Sequence, residues 1–382
     1  MTVPAWARWP DPDRPAWTLG AEEEIMLLDA ETLRLAPAIE EVLDALPQHL
    51  RERVTSETHS SALELATGVH STAEAATSEL VGLRGELASE LQGLGLRAAS
   101  AGTHPTATWE DVAVSPAQRH REVEEAMRAL ARREPTFALH VHVGVPTPAG
   151  AIGALNQVRA HVPLLLALSG NSPFWQGRDT GLASARTPLF QAFPRVGIPR
   201  AYASYAEWAH AVDLLMRCDA LPDHTHLWWD ARLNPTLGTV EVRVMDAQSE
   251  AADSASLIAL VQCLVRLEVV EGSASWRALG ASEVLEENRF LAARDGTRAE
   301  LLDLDHESGG RIPVRALAEE LLDACAPHAA ALGCTDELQR VHVLLDSPGE
   351  QRQRDAAGPD GDHQRLLRSL ADAFCTGDAA HR

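Results

Sequence analysis

From the N-terminus to about Glu271 the spacing of apolar positions switches repeatedly between two and about four residues, and each switch marks an element. Residues 20–28 alternate, meet a turn at Asp29-Ala30 and are answered by 33–35, which predicts a β-hairpin. The stretch 38–50 has helical spacing, and 54–66 reads in part as strand. Residues 71–93 repeat apolar positions at helical spacing and end on glycine, predicting a long amphipathic helix. A small-residue strand at 97–102 runs into Thr103-His104-Pro105. A charged helix is expected at 115–133, a strand at 137–145 and a largely buried helix at 150–168. Residues 171–200, rich in Pro, Gly and aromatic residues, read as a long loop of the kind that carries function. Two strands follow, 227–233 and 239–246, joined by a turn containing Asn234-Pro235; 254–271 returns to helix. Beyond Ser273 the pattern is helical and increasingly polar, with a flexible segment expected over 347–363. Strands in antiparallel-style pairs with helices between them give an α+β class with one large sheet. No repeat or strong boundary interrupts the chain, so a short tail, 1–16, and one domain, 17–382, are expected, with 273–382 mainly helical.

Composition narrows the function. The 382 residues are 45% hydrophobic and 23% charged, enough for a large core. No run approaches the roughly 20 apolar residues that span a bilayer, and the N-terminus lacks the basic-then-apolar order of a signal peptide. The five cysteines are scattered without a C-x-x-C pair, which points away from disulfide scaffolding and cysteine-bound zinc and towards a reduced, cytoplasmic setting. A net charge of −22 excludes a nucleic-acid binder, which needs a basic face to release counterions. No membrane partner is expected, and the partners are small molecules. The chain also contains no lysine. That removes a phosphate-binding P-loop, a lysine Schiff base and a kinase-type strand lysine. Any phosphate chemistry here must run on Arg, His, backbone N–H groups and metal ions.

Four strand patterns carry that chemistry. In Gly20-Ala21-Glu22-Glu23-Glu24 the strand period puts Glu22 and Glu24 on one face and Glu23 on the other. Two carboxylates at about 4 Å repel by roughly 4 kcal/mol at an effective dielectric near 20, a cost that a divalent cation removes. Taken alone, a solvated strand face is the stronger reading. Glu64 lies between Leu63 and Leu65, where an unpaired carboxylate is costly, and Glu57 precedes it by seven residues. His140 and His142 share one face of an otherwise apolar strand, open to a metal or phosphate role or to two satisfied core histidines. Glu241 and Arg243 share one face of the Thr239–Asp246 pattern, and Arg232 sits on the neighbouring strand; a cross-strand ion pair is the alternative reading. Together the patterns gather carboxylates, imidazoles and arginines without cysteine, which suits Mg²⁺ or Mn²⁺. Several such ions beside arginines describe a site for phosphoryl transfer from a nucleoside triphosphate.

From about Leu19 to Glu271 the sequence resembles the glutamate–cysteine ligase type 2 family, carboxylate–amine ligases of the glutamine synthetase-like superfamily. The resemblance rests on Gly20-Ala-Glu-Glu-Glu24, Glu57 with Glu64, Gly102-Thr-His-Pro105, His140-Val-His-Val-Gly144, the run from Leu164 to Trp175 containing Ser169-Gly-Asn-Ser-Pro173, Asp179-Thr-Gly181, Trp228-Trp-Asp-Ala-Arg232 and Thr239-Val-Glu-Val-Arg243. It implies a curved antiparallel sheet forming half a funnel, with flanking helices, that holds ATP and two or three Mg²⁺. By this resemblance Glu22, Glu24, Glu57, Glu64, His140 and Glu241 are metal ligands. Arg243 and Arg232 meet phosphate charge and serve catalysis, and His142 is a cofactor-binding neighbour. The implied reaction joins a carboxylate, by family that of glutamate, to an amine through an acyl phosphate, in a homodimer. Phe137-Ala-Leu139, Leu182 and Arg119-His120 depart from the family pattern and leave the amine open. Two rivals are a phosphotransferase releasing a stable phosphorylated product and a non-catalytic metal- or nucleotide-binding protein.

Overall fold

The structure, a computed structural model, describes residues 3–10, 13–133, 135–274, 280–303 and 309–375 of the chain. Seven strands form one antiparallel sheet: β1 (Leu19–Asp29), β2 (Val54–Ser56), β3 (Ala62–Ala66), β4 (Leu96–Ala99), β5 (Ala138–Gly144), β6 (Ala231–Asn234) and β7 (Thr239–Asp246). Their order is β6-β7-β5-β1-β3-β2, an open sheet. Along one edge of β1, β5 takes Leu19–Glu23 and β4 takes Met26–Asp29. The sheet is what alternation dictates: Leu19, Ala21, Ile25 and Leu27 of β1 and Leu139, Val141 and Val143 of β5 face one large core, while Glu22, Glu24, His140 and His142 take the other face.

Helices cover the core face. α1 (Ala73–Gly93) is capped by the Thr72 hydroxyl, which accepts from the Ala75 N–H, and it buries Ala76, Leu80, Leu83, Leu87 and Leu91 at helical spacing. It turns into β4 through Gly95, whose φ of +71° lies in the left-handed region that glycine adopts without strain. α2 (Gln118–Met127) contributes Arg119, His120 and Val123 to a cavity that Glu22, Glu24 and His140 also line, and α3 (Ala251–Val270), buried almost all round, packs against α1. Glu23 points into this core and is fully buried. It accepts from Arg84 Nε (2.7 Å), Arg84 Nη2 (2.8 Å) and the Ser254 hydroxyl, tying β1 to α1 and α3.

Several elements differ from the sequence reading. The helix expected over 38–50 breaks into Ile39–Ala45 and Gln48–Arg51 because Pro47 has no N–H to continue it. The strand expected over 54–66 is two strands, and the connection between them carries Glu57. Among the described residues one helical run, Pro148–Ser169, is long and apolar enough to cross a bilayer by length and composition, against the expectation that none approached this. Its most apolar 18-residue stretch has 72% of its residues buried inside the protein and serves as core. The segment expected to be flexible at 347–363 instead contains a packed helix, α4 (Gly349–Ala357). Its polar residues are partners of the 171–182 loop: Gln353 donates to the Asn171 carbonyl (2.7 Å) and side-chain oxygen (2.8 Å), and Arg354 binds Asp179 (2.9 Å). A Cβ at Gly349 would sit 2.5 Å from Asn171 Oδ1, so only glycine permits this contact.

Candidate active site

Strand register brings the sheet's polar residues together. Glu22 lies opposite His140, Glu24 opposite Glu64, Glu241 opposite His142, and Arg232 opposite Glu241. Glu57 joins from the β2–β3 connection. Three overlapping groups result, each with ligand atoms within 4.8 Å of one another: Glu22, Glu64 and His140; Glu22, His142 and Glu241; Glu24, Glu57 and Glu64. All six residues expected as metal ligands are here, and His142, expected as a cofactor-binding neighbour, stands among them. His142 Nδ1 is bonded to the Thr239 hydroxyl (3.0 Å), and its Nε2 is buried without a hydrogen-bond partner among the described residues, facing Glu22 Oε1 across 3.3 Å. An orphaned imidazole nitrogen facing carboxylates, in a set of oxygen and imidazole donors, fits a divalent cation.

The electrostatics separate these carboxylates into two kinds. Burial opposes ionisation of Glu22 and Glu241, but imidazoles beside Glu22, and Arg232, His142 and Arg243 beside Glu241, outweigh it and hold both well below the usual carboxylate range. Glu57 goes the other way: burial and the Glu24 charge push it up to about 8, against the weaker opposing pull of the Thr58 N–H and of Arg243 and Arg119. Burial and the charges of Glu22, Glu57 and Glu24 likewise carry Glu64 well above its ordinary value. Like charges crowded out of water pay by holding protons unless a cation replaces them.

The arginines divide by what they touch. Arg232 Nε donates to Glu241 (2.6 Å) and Nη1 to the Leu227 carbonyl (3.1 Å), so much of its guanidinium is engaged in the cross-strand pair. Arg243 sits where β7 gains one residue against β5, between Val242 and Met245. Such a bulge re-aims a side chain, and Arg243 reaches Glu241 and His140 Nδ1 (3.3 Å) at the wall of the cavity. No pattern in the sequence singles out Arg186, a buried residue in the 171–200 region. It donates to the Val244 (3.0 Å) and Arg243 (3.2 Å) carbonyls and braces the bulge. His226 was equally silent, in a short helical turn before β6.

Two cavities meet at this row. One, about 550 Å³, opens on Glu24, Glu57 and Glu64 and is walled by Arg119, His226, Trp228 and Arg243. The other, about 520 Å³, is lined mainly by apolar groups including Trp9, Leu19, Val69 and Leu237. Glu22 lines both.

Residues 18–369 match the family described as glutamate-cysteine ligase family 2. A Rubrobacter xylanophilus protein named "Putative glutamate–cysteine ligase 2-1" is 41% identical over 347 residues, covering 91% of this chain and 92% of the relative. A Sorangium cellulosum protein named "Putative glutamate–cysteine ligase 2" is 38% identical over 336 residues, covering 86% and 88%. Among solved structures, the fold is similar to that of a glutamate–cysteine ligase from Francisella tularensis crystallised with AMP, at a TM-score of 0.69 and 14% identity over 95% of this chain and 90% of that one. A bifunctional glutathione synthetase from Pasteurella multocida gives a TM-score of 0.69 at 11% identity, over 95% of this chain and 53% of that one.

Proposed function

The chain belongs to glutamate-cysteine ligase family 2, and is thus an ATP-dependent carboxylate–amine ligase; from that premise we propose that it transfers the γ-phosphoryl group of ATP to the γ-carboxylate of glutamate and joins the resulting acyl phosphate to an amine. The observation that carries the reading is the run of three ligand groups between an apolar and a polar cavity, with Arg243 beside them. The apolar cavity suits a nucleotide base, and the polar one a charged amino acid and its amine partner. Glu22, Glu24, Glu57, Glu64, His140 and Glu241 would hold two or three Mg²⁺ or Mn²⁺, with His142 adjoining. Such ions, when bound, offset triphosphate charge and polarise the transferring group. Glu241, fixed by Arg232, orients Arg243 so that its guanidinium meets charge developing on the phosphoryl oxygens. Residues 17–382 act as one catalytic unit in this reading, supported by a single core that runs to Phe374 and that also takes in Ala7 of the preceding segment. The deciding measurement is ADP release with glutamate against a panel of amino acids, with the product identified by mass spectrometry. ADP release that needs no amine, or a stable phosphorylated product, would sink the ligase reading.

Arg243→Lys separates a phosphate contact from a structural ion pair. Lysine keeps the charge but loses the planar fork that can hold two oxygens. Turnover is expected to fall roughly 10²–10³-fold, typical of one lost preorganised contact, with folding intact and ATP affinity little changed. Near-normal turnover with a lowered melting temperature would return Arg243 to a structural role.

The raised Glu57 sets a pH dependence. Its folded-state pKa, about 8 against an ordinary 4.5, means the ion-free protein holds a proton there at neutral pH. That proton's contribution to the stability of the ion-free fold is fully present below about 4.5 and is lost as pH rises through about 8. A divalent ion must displace the proton, so Mg²⁺ binding is expected to release protons at neutral pH and to tighten as pH rises towards 8. Titration calorimetry in buffers of different ionisation enthalpy reads this directly. Identical enthalpies in all buffers would refute it.

A further inference from the structure

The amine that attacks an acyl phosphate must first lose a proton, and nothing in the ligand row can take it while the ions are bound. Of the three imidazoles that line the polar cavity outside the ligand row, His120 bonds to the Ser56 hydroxyl (3.2 Å) and His59 to the Ala131 carbonyl (3.2 Å). His226 is different. Its side chain is only 7% exposed, yet Nε2 has no hydrogen-bond partner among the described residues. It lines both the polar cavity and an adjoining one of about 300 Å³, walled by Val123, Met127, Leu221 and Trp228. Its Nδ1 lies 3.3 Å from Asp223 Oδ1.

We propose that His226 is the general base that deprotonates the acceptor amine, with Asp223 as the residue that orients it. The inference rests on the ligase reading above. Thr225 donates to Asp223 through its N–H (2.7 Å) and its hydroxyl, and these bonds with the neighbouring His226 hold the carboxyl below its ordinary value despite partial burial. Ionised, Asp223 can only accept, so Nδ1 carries the ring proton and Nε2 keeps a free lone pair. Burial and the charges of Arg119 and Arg195 favour the neutral ring over the pull of Asp223. Arg195 donates from Nε to the His226 carbonyl (3.2 Å), and Arg119 to the Thr225 hydroxyl (3.1 Å), so the turn bearing the base is fixed on both sides.

The proton balance closes. An acceptor ammonium gives one proton to Nε2, forming an imidazolium that Asp223 stabilises. The neutral amine then attacks the acyl carbon, a C–N bond forms, the C–O bond to phosphate breaks, and the second amine proton leaves with phosphate or through solvent. Asp223 is about half exposed, which gives the imidazolium proton a way out. The apolar adjoining cavity gives the acceptor's own side chain a place beside the base.

Hydroxylamine provides the test, because it is already neutral at neutral pH and needs no base to attack an acyl phosphate. With an amino-acid acceptor, His226→Gln is expected to lower kcat about 10²-fold or more, the usual contribution of a general base. With hydroxylamine, followed as hydroxamate, the same variant should fall no more than a few-fold, which also shows that it folds. Asp223→Asn, which removes only the orienting charge, should lose less with amino acid and again little with hydroxylamine. Equal loss on both acceptors, or no loss on either, overturns the base assignment while leaving the ligase reading intact. Wild-type protein that makes neither hydroxamate nor amine-dependent ADP overturns the ligase reading and this inference with it.

Discussion

Glu64→Gln is expected to abolish ADP release, by at least about 10³-fold, while the protein keeps its fold and its melting temperature holds or rises slightly. Glu64 belongs to two of the three ligand groups, one with Glu22 and His140 and one with Glu24 and Glu57. Its loss therefore weakens two cation positions at once, beyond the roughly 10–100-fold typical of losing a single outer-shell partner. The stability sign follows from the ion-free state. Glu64 is held well above the ordinary carboxylate range by burial and by three neighbouring carboxylates, which outweigh the charge of Arg243, and its one side-chain hydrogen bond among the described residues is a long contact from the Thr55 hydroxyl (3.3 Å). A neutral amide in its place removes repulsion that the fold otherwise resists. Turnover and melting temperature on one variant, without and with Mg²⁺, check both halves. Turnover within tenfold of wild type would remove Glu64 from the ligand set. A large stability loss would make it a structural residue.

Glu23→Gln is expected to do the reverse, destabilising the protein by about 3–5 kcal/mol, the cost of stripping one partner from a buried ion pair, with near-normal turnover in whatever fraction stays folded. Glu23 is fully buried, and its carboxylate neutralises Arg84, whose remaining donors go to the Gln248 (2.8 Å) and Ser249 (3.2 Å) carbonyls. An amide leaves that guanidinium charged in the core with no counter-ion. Denaturant unfolding checks it; a shift under about 1 kcal/mol, near what an exposed pair would give, would mean that the pair is not closed as it stands here. Adjacent glutamates on one strand thus fail in opposite ways. Glu23 is no neutral control for Glu22: it faces away from the site, but into the core rather than into solvent.

That pair of residues also marks how far the sequence could be read. The period of two in β1, β5 and β7 is a local property of extended backbone. It put Glu22 with Glu24, His140 with His142, and Glu241 with Arg243 on shared faces; the register brings Glu22 opposite His140 and Glu241 opposite His142, while Arg243 falls in the bulge outside the paired positions. The α+β class and the antiparallel sheet followed from the same alternation, and the family from the motifs it carries. Pro47 breaks the helical spacing of 38–50 by removing one N–H, a local effect that the apolar periodicity does not carry.

What the sequence could not determine depends on contacts between residues far apart in the chain. Arg84 is the partner of Glu23 across 61 positions, and Gln353 that of Asn171 across 182. Polar residues read from sequence as solvated became buried because distant groups satisfied their hydrogen bonds, which is why 347–363 was expected to be flexible and α4 is packed. The bulge that re-aims Arg243, the arrival of Glu57 from a connection, and the bare nitrogen of His226 follow the same rule. Alternation decides which face a side chain takes at the scale of a few residues. What it meets there, and so whether it carries a proton, holds an ion or stays bare, is set by the packing of the whole chain.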